Sequence, residues 1–129
     1  MLAIDKTLVV RYLTGDHPSQ SARAKALIDA EPVFVSLTVL LETERVLRSV
    51  YGYETARIAR ALRGFSGLPQ VTIEDPTVVA QALDWLENGM EFANALHLAR
   101  SVGCTEFVTF DRGLVRSANQ PGAIPVRRL

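Results

Sequence analysis

The chain has 129 residues, 48% hydrophobic and 22% charged, which suits one globular core and a single domain over residues 1–129. Its 14 Lys and Arg balance 14 Asp and Glu, so bulk charge does not mark a nucleic-acid binder, and any such surface must be a local patch. The single cysteine, Cys104, excludes an internal disulfide and fits a reducing, cytoplasmic setting. Its apolar neighbours Val102 and Phe107 mark it as a buried structural thiol. Asp5, Lys6 and Arg11 interrupt any signal-peptide core, and no apolar stretch has transmembrane length, so no membrane association is expected.

Leu2-Ala3-Ile4 reads as a short buried strand that stops at Asp5. Leu8, Val9, Tyr12 and Leu13 recur with helical spacing until Gly15-Asp16-His17-Pro18 breaks the helix. Ser19 to Ala30 is a second helix, and Val33-Phe34-Val35 a second strand. Ser36 or Thr38 caps the third helix, whose inner face is Val39, Leu40, Thr43, Val46, Leu47 and Val50. Glu54 to Arg63 is a fourth helix, followed by a turn at Gly64, Gly67 and Pro69 and a strand at Val71-Thr72-Ile73. Asp75-Pro76 opens a fifth helix with Val79, Leu83 and Leu86 buried. Phe92, Ala95, Leu96 and Ala99 make the next, with His97 packed on it. Phe107 to Phe110 is a strand that stops at Asp111, a short helix covers Gly113 to Ala118, and Ile124-Pro125-Val126 is an edge strand. Short strands without polar alternation, separated by helices, indicate a parallel sheet covered on both faces.

In an open parallel sheet, ligands bind where the strands end. Asp5 and Asp111 each end a strand, Glu42 lies about one turn into the helix after the second strand, and Asn94 lies early in the helix leading to the Asp111 strand. Three clustered acids repel one another unless a cation is bound, and oxygen donors of this kind suit Mg²⁺ or Mn²⁺. His17 and His97 are isolated, so zinc is disfavoured, and neither a phosphate loop nor a serine nucleophile elbow is present. Taken singly, each residue has a plainer explanation. Asp5 suits a helix cap, Glu42 a solvated helix position, Asp111 a turn, and Asn94 a cap or surface amide.

The segments Leu2 to Asp5, Arg11 to Asp16, Leu40 to Leu47, Phe92 to Ala99 and Phe107 to Arg112 together resemble PIN-domain proteins, of the VapC type found in bacterial toxin–antitoxin pairs. The resemblance covers nearly the whole chain. It implies a three-layer α/β/α fold with a central parallel sheet of strand order 3-2-1-4-5. It also implies a Mg²⁺- or Mn²⁺-dependent endoribonuclease toxin, homodimeric, whose cognate antitoxin covers the active site. By that resemblance Asp5, Glu42 and Asp111 match metal-binding acids, Asn94 takes the place of a fourth, and Thr109 matches a supporting hydroxyl.

Two departures bear on activity. The family carries Asp at the position of Asn94, and reads Asp-Thr-Asn where this chain has Asp5-Lys6-Thr7. An amide lends an oxygen to a metal but brings no charge and cannot act as a base. Lys6 adds a positive charge that opposes cation binding. Glu91, one turn before Asn94, is a candidate replacement. The changes point either to natural decay of activity or to a deliberate change that makes a toxin safe to express. A second function therefore stands beside the ribonuclease: a catalytically inactive PIN-fold module that binds an antitoxin or RNA. A phosphoacceptor receiver would need a second acid beside Asp5, and an Asp-x-Asp phosphatase is excluded by Thr7.

Arg45, Arg48, Arg112 and Arg116 suit RNA phosphates, against the alternative of a solvated charged face. Tyr12, Tyr51, Tyr53 and Trp85 suit base stacking, against the commoner role of core or dimer contacts. The Arg57/Arg60/Arg63 stripe reads as solvent-facing.

Overall fold

Every strand pairing in the chain is parallel, as short apolar runs separated by helices require. A computed structural model describes residues 1–129. They divide into two compact units, Met1–Pro76 and Thr77–Leu129.

The first unit holds β1 (Leu2–Ala3), α1 (Lys6–Thr14), α2 (Pro18–Ala30), β2 (Val33–Val35), α3 (Leu37–Ser49), α4 (Thr55–Ser66) and β3 (Val71–Ile73). Its sheet has the order β1-β2-β3, with Leu2 opposite Val33 and Val33 opposite Val71. The middle strand carries the core: Val33 and Val35 are fully buried. The N-terminal strand is not the buried one expected. Leu2 is 43% exposed and burial begins at Ile4, because β1 has a ladder partner on one side only.

Local chemistry sets the helix ends. Gly15 closes α1 at φ 64°, a left-handed value that glycine tolerates, and its N–H donates to the Arg11 carbonyl. His17 Nδ1 caps α2 by accepting from Gln20 N at 3.1 Å. Ser36, rather than Thr38, caps α3 through Val39 N at 3.3 Å. Glu74 adds a second acceptor there, taking Leu37 N at 2.9 Å. Leu40, Thr43 and Leu47 face the core, but Val50 is 72% exposed because it lies past the last turn. The fourth helix continues through Gly64, where a turn was expected. Phe65 lies on the same buried face as Ile58 and Leu62, and its burial offsets the roughly 1 kcal/mol that a helical glycine costs.

The second unit takes most of α5 (Pro76–Glu87), then α6 (Phe92–Ala99), β4 (Phe107–Thr109), α7 (Arg112–Ser117) and β5 (Val126–Arg128). Trp85 is buried, and its indole N–H donates to the Pro121 carbonyl at 3.0 Å. The last strand begins two residues later than expected. Pro125 has no N–H for a ladder, and its carbonyl instead accepts Phe107 N at 2.8 Å.

The strand order 3-2-1-4-5 is corrected to two ladders, β1-β2-β3 and β4-β5. A two-residue β1 offers few backbone groups for a second partner. Cys104 is exposed, in a turn closed by Cys104 N on the Ser101 carbonyl, so the buried thiol is also corrected. His97 is likewise exposed: Leu96 and Leu98 on either side turn inward and leave it outside. No helix is long and apolar enough to cross a membrane.

Candidate functional site

In the first unit, Asp5 is the second of the two residues between β1 and α1. Its extended backbone lets the carboxylate fold back, and Oδ1 accepts from Leu8 N at 3.3 Å. Asp5 is thus a helix cap, the plain role available to it, and its second oxygen remains for another ligand. Glu42 is exposed on α3. Lys6, the first residue of α1, places Nζ 3.3 Å from Glu42 Oε2. The ion pair brings Glu42 to the same helix end that Asp5 caps. A lysine is disfavoured at a helix N-terminus, where the backbone N–H groups are already positive. Its partnership with Glu42 offsets that cost.

The charge opposition expected from Lys6 therefore takes a specific form: an ammonium sits on the carboxylate itself. Sequence spacing placed Lys6 beside Asp5. Only the packing of α1 against α3 shows that its partner is Glu42.

In the second unit, Asp111 repeats the pattern of Asp5. It caps α7, with Oδ1 accepting from Leu114 N at 3.1 Å. Thr109 Oγ1 accepts from Asp111 N at 2.9 Å, so the hydroxyl fixes the backbone of the acid. A Cβ at Gly113 would lie 3.1 Å from Asp111 Oδ1, so glycine leaves room for this turn-back. Asn94 is half-buried in the first turn of α6. Glu91 occupies the N-cap position of that helix, yet its side chain makes no capping bond and is exposed.

The candidate residues are thus divided, Asp5 and Glu42 in one unit and Glu91, Asn94, Thr109 and Asp111 in the other. Neither unit gathers three His, Cys, Asp or Glu side chains into a cluster. Each unit by itself offers oxygen donors of the kind a hard divalent cation takes. Asp5 and Asp111 each have one carboxylate oxygen outside their caps, Asn94 offers an amide oxygen, and Glu42 is available once Lys6 moves aside.

Other polar residues take structural roles. Asp16 accepts from the Tyr51 hydroxyl at 2.6 Å and from Thr14 Oγ1 at 2.7 Å, with Arg11 at 3.4 Å. Those bonds, the Tyr51 hydroxyl first, hold its carboxyl below the usual carboxylate value. Glu44, which sequence reasoning passed over, is buried and receives Arg48 Nε at 2.9 Å. Arg48, itself exposed, is therefore committed to that carboxylate, and Arg45, Arg112 and Arg116 are exposed as well. Of the aromatic residues, Tyr12 packs edge-on against Phe65 and Trp85 is core. Tyr53 lies under the Arg57 guanidinium, 3.7 Å from the ring centre. The Arg57/Arg60/Arg63 stripe is exposed as expected.

Parallel strands alternating with helices make each unit α/β, and the comparison with known families makes the class specific. A model of the PIN domain matches residues 2–119, so the chain belongs to the PIN-domain family. Among solved structures, Mycobacterium tuberculosis VapC20, described as a Sarcin-Ricin loop cleaving toxin, is similar at 22% identity, over 97% of this chain and 100% of that one, with a TM-score of 0.46. No curated protein matches the chain.

Proposed function

We propose that the chain is a VapC-like, metal-dependent endoribonuclease toxin that hydrolyses RNA phosphodiester bonds and is neutralised by a cognate antitoxin. The observation that carries this reading is the PIN match over residues 2–119, which includes all four candidate positions and crosses the boundary between the two units. It supports treating the units as one functional domain. The same resemblance supports a homodimer in the cytoplasm.

Asp5, Glu42, Asn94 and Asp111 would hold Mg²⁺ or Mn²⁺. Such an ion, when bound, supplies Lewis-acid polarisation of the phosphodiester and activation of water. The chain's own part is orientation. Caps aim the carboxylates of Asp5 and Asp111, and Thr109 holds Asp111 in register. Asn94 contributes an oxygen without charge, so the set carries one negative charge fewer than four acids would.

The test is RNA cleavage in Mn²⁺ by this chain, Asp5→Ala and Asn94→Asp. Cleavage that vanishes in Asp5→Ala and rises in Asn94→Asp is the expected result. Absence of cleavage by every one, with no Mn²⁺ binding, would refute it. The Lys6–Glu42 ion pair favours a second reading, an inactive PIN-fold module that binds an antitoxin or RNA. That reading expects tight partner binding with little metal affinity even in Asn94→Asp.

A further inference from the structure

Between α1 and α2 the first unit opens a groove of about 470 Å³. That volume lies within the range of small-ligand sites. Its lining includes Asp5, Leu8, Arg11, Gln20, Arg23 and Leu27. The groove therefore shares a wall with one of the proposed metal-holding acids.

The polar groups on the wall are not equivalent. Arg11 Nε donates to Gln20 Oε1 at 2.8 Å, and Arg11 Nη1 reaches Tyr51 and Asp16. Its charge is thus matched and its position fixed. With the Gln20 oxygen engaged by Arg11, the Gln20 amide N–H₂ is left as a donor. Arg23 is exposed and has no ion-pair partner. Leu8 and Leu27 are half-buried and offer apolar surface between these donors. Apart from the Asp5 carboxylate, the unpaired charge on the groove is the Arg23 guanidinium, which suits phosphate. The free neutral group is a donor, which suits the carbonyl and ring-nitrogen edge of a base.

We propose that this groove is a nucleotide subsite, holding the residue of single-stranded RNA next to the cleaved bond. The base lies against Leu8 and Leu27 with its edge toward Gln20, and the flanking phosphate pairs with Arg23. The inference rests on the ribonuclease reading, because Asp5 is what ties the groove to the scissile bond. A phosphodiester brought to Asp5 carries its neighbouring nucleotide onto whatever surface adjoins that acid, and the groove is such a surface. An acidic protein segment would meet the same guanidinium, and the titrations below separate it from RNA.

The experiment is fluorescence-anisotropy titration of labelled oligo(A), oligo(C) and oligo(U), in EDTA and again in Ca²⁺, over a range of salt. Arg23→Gln is expected to weaken binding several-fold and to reduce the salt slope by about one. Arg60→Gln, on the exposed side of α4, is expected to leave both unchanged. Leu27→Trp, which narrows the groove without altering charge, is expected to change the ranking of the three oligonucleotides. Equal losses in Arg23→Gln and Arg60→Gln, or none in either, would overturn the subsite. So would unchanged RNA binding accompanied by lost binding of a co-expressed protein partner, which would assign the groove to protein. Those results leave metal-dependent cleavage, checked separately with Asp5→Ala, intact. Failure of the unmodified chain to bind any of the three RNAs would overturn the subsite and the ribonuclease reading together.

Discussion

Replacing Lys6 by Met should tighten divalent-metal binding. The substitution keeps an unbranched apolar stem and removes only the ammonium that lies 3.3 Å from Glu42 Oε2. Coulomb attraction at that distance is about 1 kcal/mol in water and about 5 kcal/mol at an effective dielectric of about 20. Both side chains are about half exposed, at 45% and 53%, so the higher figure does not apply. Exposed pairs contribute about 0.2–1 kcal/mol net. A metal that must displace Lys6 from Glu42 forfeits that amount, which corresponds to about 1.4- to 5-fold in affinity. Removing the repulsion between ammonium and metal adds in the same direction. Mn²⁺ dissociation constants measured by calorimetry or electron paramagnetic resonance should therefore fall by a few-fold in Lys6→Met. The gain should shrink as salt screens the charges. Lys6→Arg keeps a cation on Glu42 and should bind as weakly as the unmodified chain. Equal affinities for Lys6→Met and the unmodified chain at low salt would show that Lys6 does not compete with the metal for Glu42, as would a gain of the same size in Lys6→Arg.

Arg48→Met leaves the buried Glu44 carboxylate without its 2.9 Å partner, and should cost about 1–3 kcal/mol in urea unfolding; no change in the midpoint would show that Glu44 is satisfied otherwise. Thr109→Val removes the acceptor for Asp111 N, so stability should fall by about 0.5–1.5 kcal/mol, and unaltered Mn²⁺ affinity would show that Asp111 needs no such support. Asp16 has a lowered pKa in the folded chain, caused chiefly by the Tyr51 hydroxyl, so its contribution is complete above the ordinary value of 3.8 and is lost as pH falls through the lower folded value. The stability gap between the unmodified chain and Asp16→Asn should thus be present at neutral pH and close in acid, and a gap that stays constant with pH would contradict the assignment.

Much of the local architecture was legible in the sequence because its causes are local. Val33-Phe34-Val35 and Val71-Thr72-Ile73 are strands where the apolar runs placed them, and Gly15 stops α1 where a left-handed residue was needed. Asp5 and Asp111 were recognisable as strand-end acids for the same reason: each follows directly on its own apolar run. Their additional role as caps was also readable, since an acid at that position reaches the N–H groups of the turn that follows. What depends on distant partners was not. Glu44 looks like any charged helix residue, and only the packing of α3 shows that it is buried with Arg48. Cys104 and His97 have apolar neighbours in the sequence, yet the turn and the helix face leave both outside. The division of the strands into two ladders depends on backbone pairing between segments far apart in sequence, which no local run of residues reveals.

Within the sequence itself lay the class of element at almost every position and the acids at the strand ends. Hydrophobic period, capping chemistry and residue type are written within a few neighbouring residues. The tertiary structure alone decided that Lys6 lies on Glu42 rather than merely beside Asp5, that Arg11 is committed while Arg23 is free, and that a groove adjoins Asp5. Each of these depends on two helices brought side by side, and the distance between side chains on different helices is a property of packing.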